Sequence, residues 1–200
     1  MASILKVDTI QDQSGNNIIN ENADTITIGA SGDTINVVGT LQNNGNNAVG
    51  ITEADQWRLT ANFTGSVDPI ASNLERNDNA SFGYIGTGMS ESSGIFSFPQ
   101  TGIYLVEFVA TMERVSNDAL VTYGISGTTD NSSYSNLARN FTNTGTISAS
   151  YNEIIVSSFF DVTDTSTHKV KFFVSSSVQE TIGVSSENHT YMTFIRLGDT

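Results

Sequence analysis

Apolar and polar side chains alternate with a period of two along most of the chain after residue 56. Trp57, Leu59, Ala61 and Phe63 alternate with polar residues, which is the pattern of an antiparallel strand with one buried face. Turn-forming residues separate such stretches, and no convincing helix start is present. The pattern predicts an all-β sandwich or jelly roll, with further strands at about residues 82–86, 95–98, 103–112, 119–126, 145–151, 154–162, 168–176 and 189–197.

Two of the predicted strands are apolar on both faces. A strand in a sheet with one solvated face is apolar inward and polar outward, so the second faces of these strands are expected to be covered. Either identical subunits or the chain's own loops can cover them. The apolar residues are Tyr104, Val106, Phe108, Ala110 and Met112 against Ile103, Leu105 and Val109 in one strand, and Tyr191, Ile195 and Leu197 against Met192 and Phe194 in the other.

Residues 1–50 differ from the rest of the chain, because they contain no Trp, Phe or Tyr. The tripeptide Asp-Thr-Ile starts at Asp8, Asp24 and Asp33, and the last two copies begin short β-branched segments that end in Gly. A strand of this length cannot bury its own apolar face. Identical chains can supply the missing neighbours in a trimeric β-stalk, as in viral fibres. We therefore predict an N-terminal docking or β-stalk segment at 1–50, joined by an Asn- and Gly-rich turn to one jelly-roll domain at 51–200.

Charge and composition argue against several classes of function. Only 14% of the residues are charged and the formal net charge is −13, which disfavours nucleic-acid binding because phosphate recognition uses clustered Lys and Arg. No Cys is present, so a disulfide framework and a thiolate metal site are both excluded. The N-terminus reaches Asp8 before any apolar run long enough for a signal peptide. No apolar run of about 18 residues exists, so we expect no membrane insertion.

Candidate chemistry is sparse in this sequence. His168 and His189 stand at the starts of predicted strands, with no carboxylate at a spacing typical of metal ligands. No Gly-x-Ser-x-Gly turn positions a nucleophilic serine. Glu107 lies inside an apolar strand, where pairing with a basic neighbour such as Arg196, or a place in a polar interface, is a commoner role than catalysis. We therefore predict no enzymatic activity, no catalytic residue, no cofactor and no metal site.

The segment from Phe96 to Phe108 contains an extended sequence motif. Phe96 is followed by five residues and then by Gly-x-Tyr-x-Val-x-Phe from Gly102 to Phe108. This arrangement resembles the central signature of C1q-like jelly-roll domains, and residues 191–199 resemble the strand with which such domains end. The resemblance implies a C1q/TNF-like head that forms a homotrimer around a threefold axis. It places six residues on the core and trimer strands, namely Tyr104, Val106, Phe108, Tyr191, Phe194 and Ile195.

The opening segment, residues 4–15, resembles the start shared by many virion proteins of marine tailed bacteriophages. The resemblance implies that Ile4, Leu5, Val7 and Ile10 dock on the particle. Together the two resemblances predict a virion structural protein assembled in the host cytoplasm, a trimeric fibre or decoration protein with its head displayed outward. The predicted partners are copies of itself, capsid or tail proteins, and a host-surface glycan bound by loops at 64–81, 127–146 and 177–188.

Alternative classes stay open at this point. The trimer can be a tail fibre that binds glycans, or a head fibre or decoration protein on the capsid. A second class is a soluble C1q-like module that binds carbohydrate or protein. A third is a fibre-borne polysaccharide depolymerase, which requires a pair of carboxylates.

Overall fold

The computed structural model describes residues 9–11, 13, 17–22, 25–28, 31–38, 41–43, 46–47, 50–116, 120–143 and 150–200. The chain divides into two compact units, Met1–Gly50 and Ile51–Thr200. All regular structure in the described residues is β-strand.

The N-terminal unit is built from short antiparallel strands: β1 (Thr9–Gln11), β2 (Asn17–Asn22), β3 (Thr25–Ile28), β4 (Gln42–Asn43) and β5 (Asn46–Asn47). The first three pair in the order β1-β2-β3, and β4 pairs with β5. Of the two later Asp-Thr-Ile copies, the first supplies β3, whereas residues 33–38 of the second form no strand. Strands this short need pairing neighbours to persist. Several apolar side chains of this unit are exposed, namely Ile28, Ile35, Val37, Val38 and Leu41.

The C-terminal unit contains two antiparallel sheets. Its strands are β6 (Ala54–Leu59), β7 (Ala61–Thr64), β8 (Leu74–Arg76), β9 (Ser90–Ser92), β10 (Ile95–Ser97), β11 (Gly102–Glu113), β12 (Val121–Thr128), β13 (Ser135–Thr142), β14 (Tyr151–Val162), β15 (Lys169–Ser175), β16 (Glu180–Val184) and β17 (Tyr191–Gly198). The smaller sheet has the order β13-β12-β15-β10-β9. The larger sheet has the order β7-β16-β11-β17-β6-β8, with β14 paired to β11. The predicted all-β jelly roll is confirmed.

The core lies between these two sheets and is rich in aromatic rings. Phe96 is fully buried, and its ring centroid lies 5.5 Å from that of Trp57, 5.4 Å from that of Phe172 and 5.1 Å from that of Phe194. Burying one such side chain contributes about 1.5–3 kcal/mol. The even-numbered side chains of β11 from Tyr104 to Met112, together with Met192 and Phe194 of β17, are buried in this core, and their burial fixes which faces of the two strands point outward.

Three stretches predicted as loops contain strands. β8 lies within 64–81, β13 within 127–146 and β16 within 177–188. β13 shows why periodicity does not reveal them, because it is a polar, largely exposed edge strand that pairs with β12 through its backbone. Backbone pairing leaves no signature in the side chains. The predicted recognition loops are therefore shorter in the structure than in the sequence prediction.

Two other strand predictions have different outcomes. Residues 82–86 form no strand, and only Ile85 pairs, through an isolated bridge to Ala54. Gly86 follows with φ of 78°, a left-handed conformation that ends an extended segment. The predicted strand at 145–151 lies mostly outside the described residues, which resume at residue 150.

Candidate subunit interface

The larger sheet turns one face toward the core and the other away from it. We call the second the outer face, which is formed by odd-numbered residues of β11, β14 and β17 and even-numbered residues of β6. The strand register aligns these side chains in three rows across four strands. The first row is Phe159, Leu105, Ile195 and Ala54; the second is Ser157, Glu107, Thr193 and Gln56; the third is Ile155, Val109, Tyr191 and Arg58.

The first and third rows are mainly apolar and are exposed where they cross β14. Phe159 is 70% exposed and Ile155 is 50% exposed, and Tyr151 at the start of the same strand is 65% exposed. Leu105 and Ile195, on the neighbouring strands, are only half-buried. Clustered exposed apolar side chains of this size mark interaction surfaces. The outer face is therefore the candidate functional site of this unit.

The six residues predicted for the core and trimer strands divide between the two faces. Tyr191 and Ile195 lie on the outer face, where a partner can touch them. The other four hold β11 and β17 side by side and position the outer face from behind. These four are buried in the core, namely Tyr104, Val106, Phe108 and Phe194.

Sequence reasoning missed the contribution of β14. Its side chains alternate between the core and the outer face, and both sets contain large apolar groups. Val156 and Phe160 are buried, whereas Ile155 and Phe159 are exposed. The same two-sided apolar pattern that singled out β11 and β17 was therefore present in this third strand.

The middle row is polar and is tied at one end into a hydrogen-bond network. Gln56 Nε2 donates to Thr193 Oγ1 at 3.0 Å, and Asn188 Nδ2 donates to Gln56 Oε1 at 2.5 Å. Asn77 Nδ2 donates to Asn188 Oδ1 at 2.9 Å, and its own Oδ1 accepts from Arg58 Nη1 at 3.0 Å. The network fixes the side chains at the β6 edge of the outer face.

Arg58 anchors that network although it is almost fully buried. Its Nε donates to Glu75 Oε1 at 2.7 Å, and its Nη2 lies 2.7 Å from Asp78 Oδ1. A buried guanidinium needs such partners because an unpaired buried charge is strongly destabilising. Arg58 is therefore committed within its own chain.

Glu107 lies in the middle of the outer face, and its environment differs from that of Arg58. Its carboxylate makes no hydrogen bond or ion pair with any residue that the structure describes. The expected basic neighbour, Arg196, points elsewhere, and its Nε donates to the carbonyl oxygen of Thr101 at 2.8 Å. The sequence-based pairing of Glu107 with Arg196 is therefore wrong, because Thr193 lies opposite Glu107, whereas Arg196 lies opposite Tyr104.

One buried carboxylate outside the outer face, that of Glu53, has structural partners. Glu53 accepts hydrogen bonds from the backbone N–H groups of Thr87 and Gly88, each at 2.9 Å, and from Gln100 Nε2 at 2.9 Å. Burial, followed by the charge of Glu53, raises the pKa of Tyr104 to about 12, so this phenol stays neutral at physiological pH. These bonds hold the loop at 86–89 against β6.

The described residues contain no group of three or more His, Asp or Glu side chains that could hold a metal ion. His168 is buried, and its ring nitrogens lie 3.2 Å from Thr163 Oγ1 and 3.1 Å from Thr167 Oγ1. No helix in the described part of the chain is long and apolar enough to cross a membrane.

Only one of the four predicted docking residues lies among the residues that the structure describes. Ile4, Leu5 and Val7 lie outside the described residues. Ile10 lies in β1 and is 39% exposed. Particle docking by these four residues stays a prediction.

Comparison with known proteins identifies the fold. No protein-family model and no curated protein matches the chain. The crystal structure of murine APRIL at pH 8.5 is similar over 72% of this chain and 98% of that one, with 13% identity and a TM-score of 0.52. The structure of Eiger TNF from S. frugiperda is similar over 74% and 93%, with 10% identity and a TM-score of 0.55. These likenesses confirm a TNF-like jelly roll, and at such identities they show the fold alone.

Proposed function

We propose that this chain is a homotrimeric structural protein of a tailed bacteriophage virion, assembled in the host cytoplasm. Its N-terminal unit attaches to the particle and its jelly roll is displayed outward. The observation that carries the assembly is the outer face, whose apolar rows reach water on β14. The assignment to a virion rests on the resemblance of residues 4–15 to phage virion proteins.

The apolar surface of the jelly roll has two parts that can pack against each other. One is the half-buried outer face on β11 and β17, and the other is the edge strand β14, where Ile155 and Phe159 project. Contact between the edge of one copy and the face of the next is heterologous, and such contacts close into a ring when the rotation between copies allows it. The C1q/TNF-like resemblance implies a ring of three copies.

The assembly is tested by placing charge on the exposed edge. Phe159→Glu should convert a trimer of three 21.4 kDa chains into a monomer, because a carboxylate cannot be buried cheaply in an apolar contact. Light scattering measures the mass, and circular dichroism checks that the strands persist. Phe82→Glu is the matched control, since Phe82 is exposed but lies in the loop before β9. A Phe159→Glu protein that stays trimeric contradicts the assignment of this edge to the interface.

Attachment to the particle is tested by removing residues 1–50. The shortened chain, residues 51–200, retains the aromatic core and should fold and assemble, but it should no longer be incorporated into virions. Incorporation is measured by quantifying the protein in purified particles after complementation. Normal incorporation of the shortened chain would place the docking surface on the jelly roll instead.

The displayed head suits adhesion to a host-surface glycan, because binding residues concentrate on loops held by a rigid scaffold. Segments 65–73, 129–134 and 185–190 connect strands at the surface of the sandwich. No catalytic step belongs to this role. Images of particles labelled on this protein would distinguish a tail fibre from a head fibre or decoration protein.

A further inference from the structure

The middle row of the outer face places a carboxylate between two apolar rows. In the trimer proposed above, on which this inference rests, another copy covers this surface. Glu107 has Ser157 and Thr193 beside it in its row, and Leu105 and Val109 before and after it on the outward side of β11. Covering a charged carboxylate among such neighbours is costly unless a cation pairs with it.

The outer face offers no free cation among the described residues. Besides Glu107, its titratable groups are Glu113 on β11, Tyr151, Glu153 and Asp161 on β14, Tyr191 on β17 and Arg58 on β6. Beside the face lie Glu180 on β16, His189 just before β17 and Arg114 just after β11, whose Nη1 donates to Ser150 Oγ at 3.2 Å. Arg58 is paired with Glu75 and Asp78, and His189 with Glu187. The surface that a second copy must cover is therefore acidic in its centre.

The pKa of the Tyr191 phenol is shifted by the same acidic surroundings. Burial raises the pKa of its phenol, and the charges of Glu107 and Glu153 raise it further. The phenol therefore stays neutral near neutral pH and offers a hydroxyl, not a charge, to a covering partner. It cannot neutralise Glu107.

We propose that copies of this chain associate through the outer face with uptake of protons at Glu107, so that assembly is stronger at mildly acidic than at alkaline pH. In the separate chain Glu107 is only partly buried, so water can solvate its charge. In the assembly the neutral acid is favoured, because it can donate a hydrogen bond and carries no desolvation cost of a charge. Since the assembled state binds more protons, the association constant rises as the pH falls.

The size of the effect follows from the number of protons. Three chains that each take up one proton raise the trimer association constant by up to about 1000-fold for each pH unit lowered. Because the concentration at which half of the subunits are assembled into trimers varies as the inverse square root of that constant, it should fall by up to about 1000-fold between pH 8 and pH 6. Sedimentation of a dilution series of the full chain at both pH values measures it.

Glu107→Gln keeps the side-chain shape without the charge. It should assemble more tightly than the wild type at pH 8 and lose most of the pH dependence. Asp68→Asn is the matched control, because it removes the same charge from a side chain that is paired with Lys171 outside the outer face, and it should keep the wild-type pH dependence. Circular dichroism confirms that each variant is folded.

Three results would overturn the inference. One is a wild-type midpoint that does not change between pH 8 and pH 6, and another is a Glu107→Gln variant with the full wild-type pH dependence. The third is weaker assembly of that variant at pH 8, which would mean that a cation of the neighbouring copy binds the charged carboxylate. A wild-type chain that is monomeric at every pH and concentration would instead overturn the trimer itself.

Discussion

Replacing Phe108 by alanine should lower the free energy of unfolding by about 3–5 kcal/mol. The side chain is fully buried, and its ring centroid lies 5.2 Å from that of Phe172 and 6.1 Å from that of Tyr123. Its removal leaves a cavity between the two sheets that the rings around it cannot fill. Urea unfolding followed by the fluorescence of Trp57, the single tryptophan, measures the change.

The control for this variant is Phe82→Ala, which removes a phenylalanine that is 45% exposed. It should change the unfolding free energy by less than about 1 kcal/mol. Both proteins must be compared at one concentration, because association stabilises the folded state by mass action. Equal losses in the two variants would contradict the placement of Phe108 at the centre of the core.

Replacing Asp55 by alanine should cost about 3 kcal/mol, although the residue is polar. Its buried carboxylate accepts from Trp57 Nε1 at 2.9 Å, from the N–H group of Met89 at 2.7 Å and from Arg76 Nε at 3.0 Å. Arg76 is held between the rings of Trp57 and Tyr84 and would keep its charge without a counterion. Thermal and urea unfolding both measure the loss.

Asp68→Ala provides the comparison, because it breaks an ion pair of similar length at the surface. Asp68 Oδ1 lies 2.8 Å from Lys171 Nζ, but the aspartate side chain is 55% exposed. Exposed pairs contribute less than about 1 kcal/mol. If Asp55→Ala were no more harmful than Asp68→Ala, the carboxylate would not be a structural anchor of the loop at 86–89.

The sequence predicted those strands whose side chains alternate between apolar and polar, or are apolar on both faces. The two-sided apolar strands β11 and β17 are examples, because the core imposes period two on their even positions. β13 and β16 were not predicted, since backbone pairing places them in the sheets and their side chains are largely polar or small. The residue types within one strand do not indicate which neighbour its backbone will pair with.

Only some members of the candidate site were predicted, since Ile155 and Phe159 of β14 were missed, and the arrangement of its residues was not predicted. Tyr191 and Ile195 were predicted as residues of the core and trimer strands, and Glu107 was singled out as a carboxylate inside an apolar strand. That Ser157 and Thr193 flank Glu107 depends on the register of β14 and β17 against β11. Register between strands far apart in the chain is set by the packed core, which no single segment encodes.

The pairing of β6 with β17 brings the two ends of the C-terminal unit together. Ala54, near its start, lies opposite Ile195, near its end, and paired strands run about 5 Å apart. Chain entry and exit therefore sit side by side, so the jelly roll can be grafted into a surface loop of another protein without stretching that loop. A circular permutant that joins these ends and reopens at 129–134 would keep every strand pairing of both sheets.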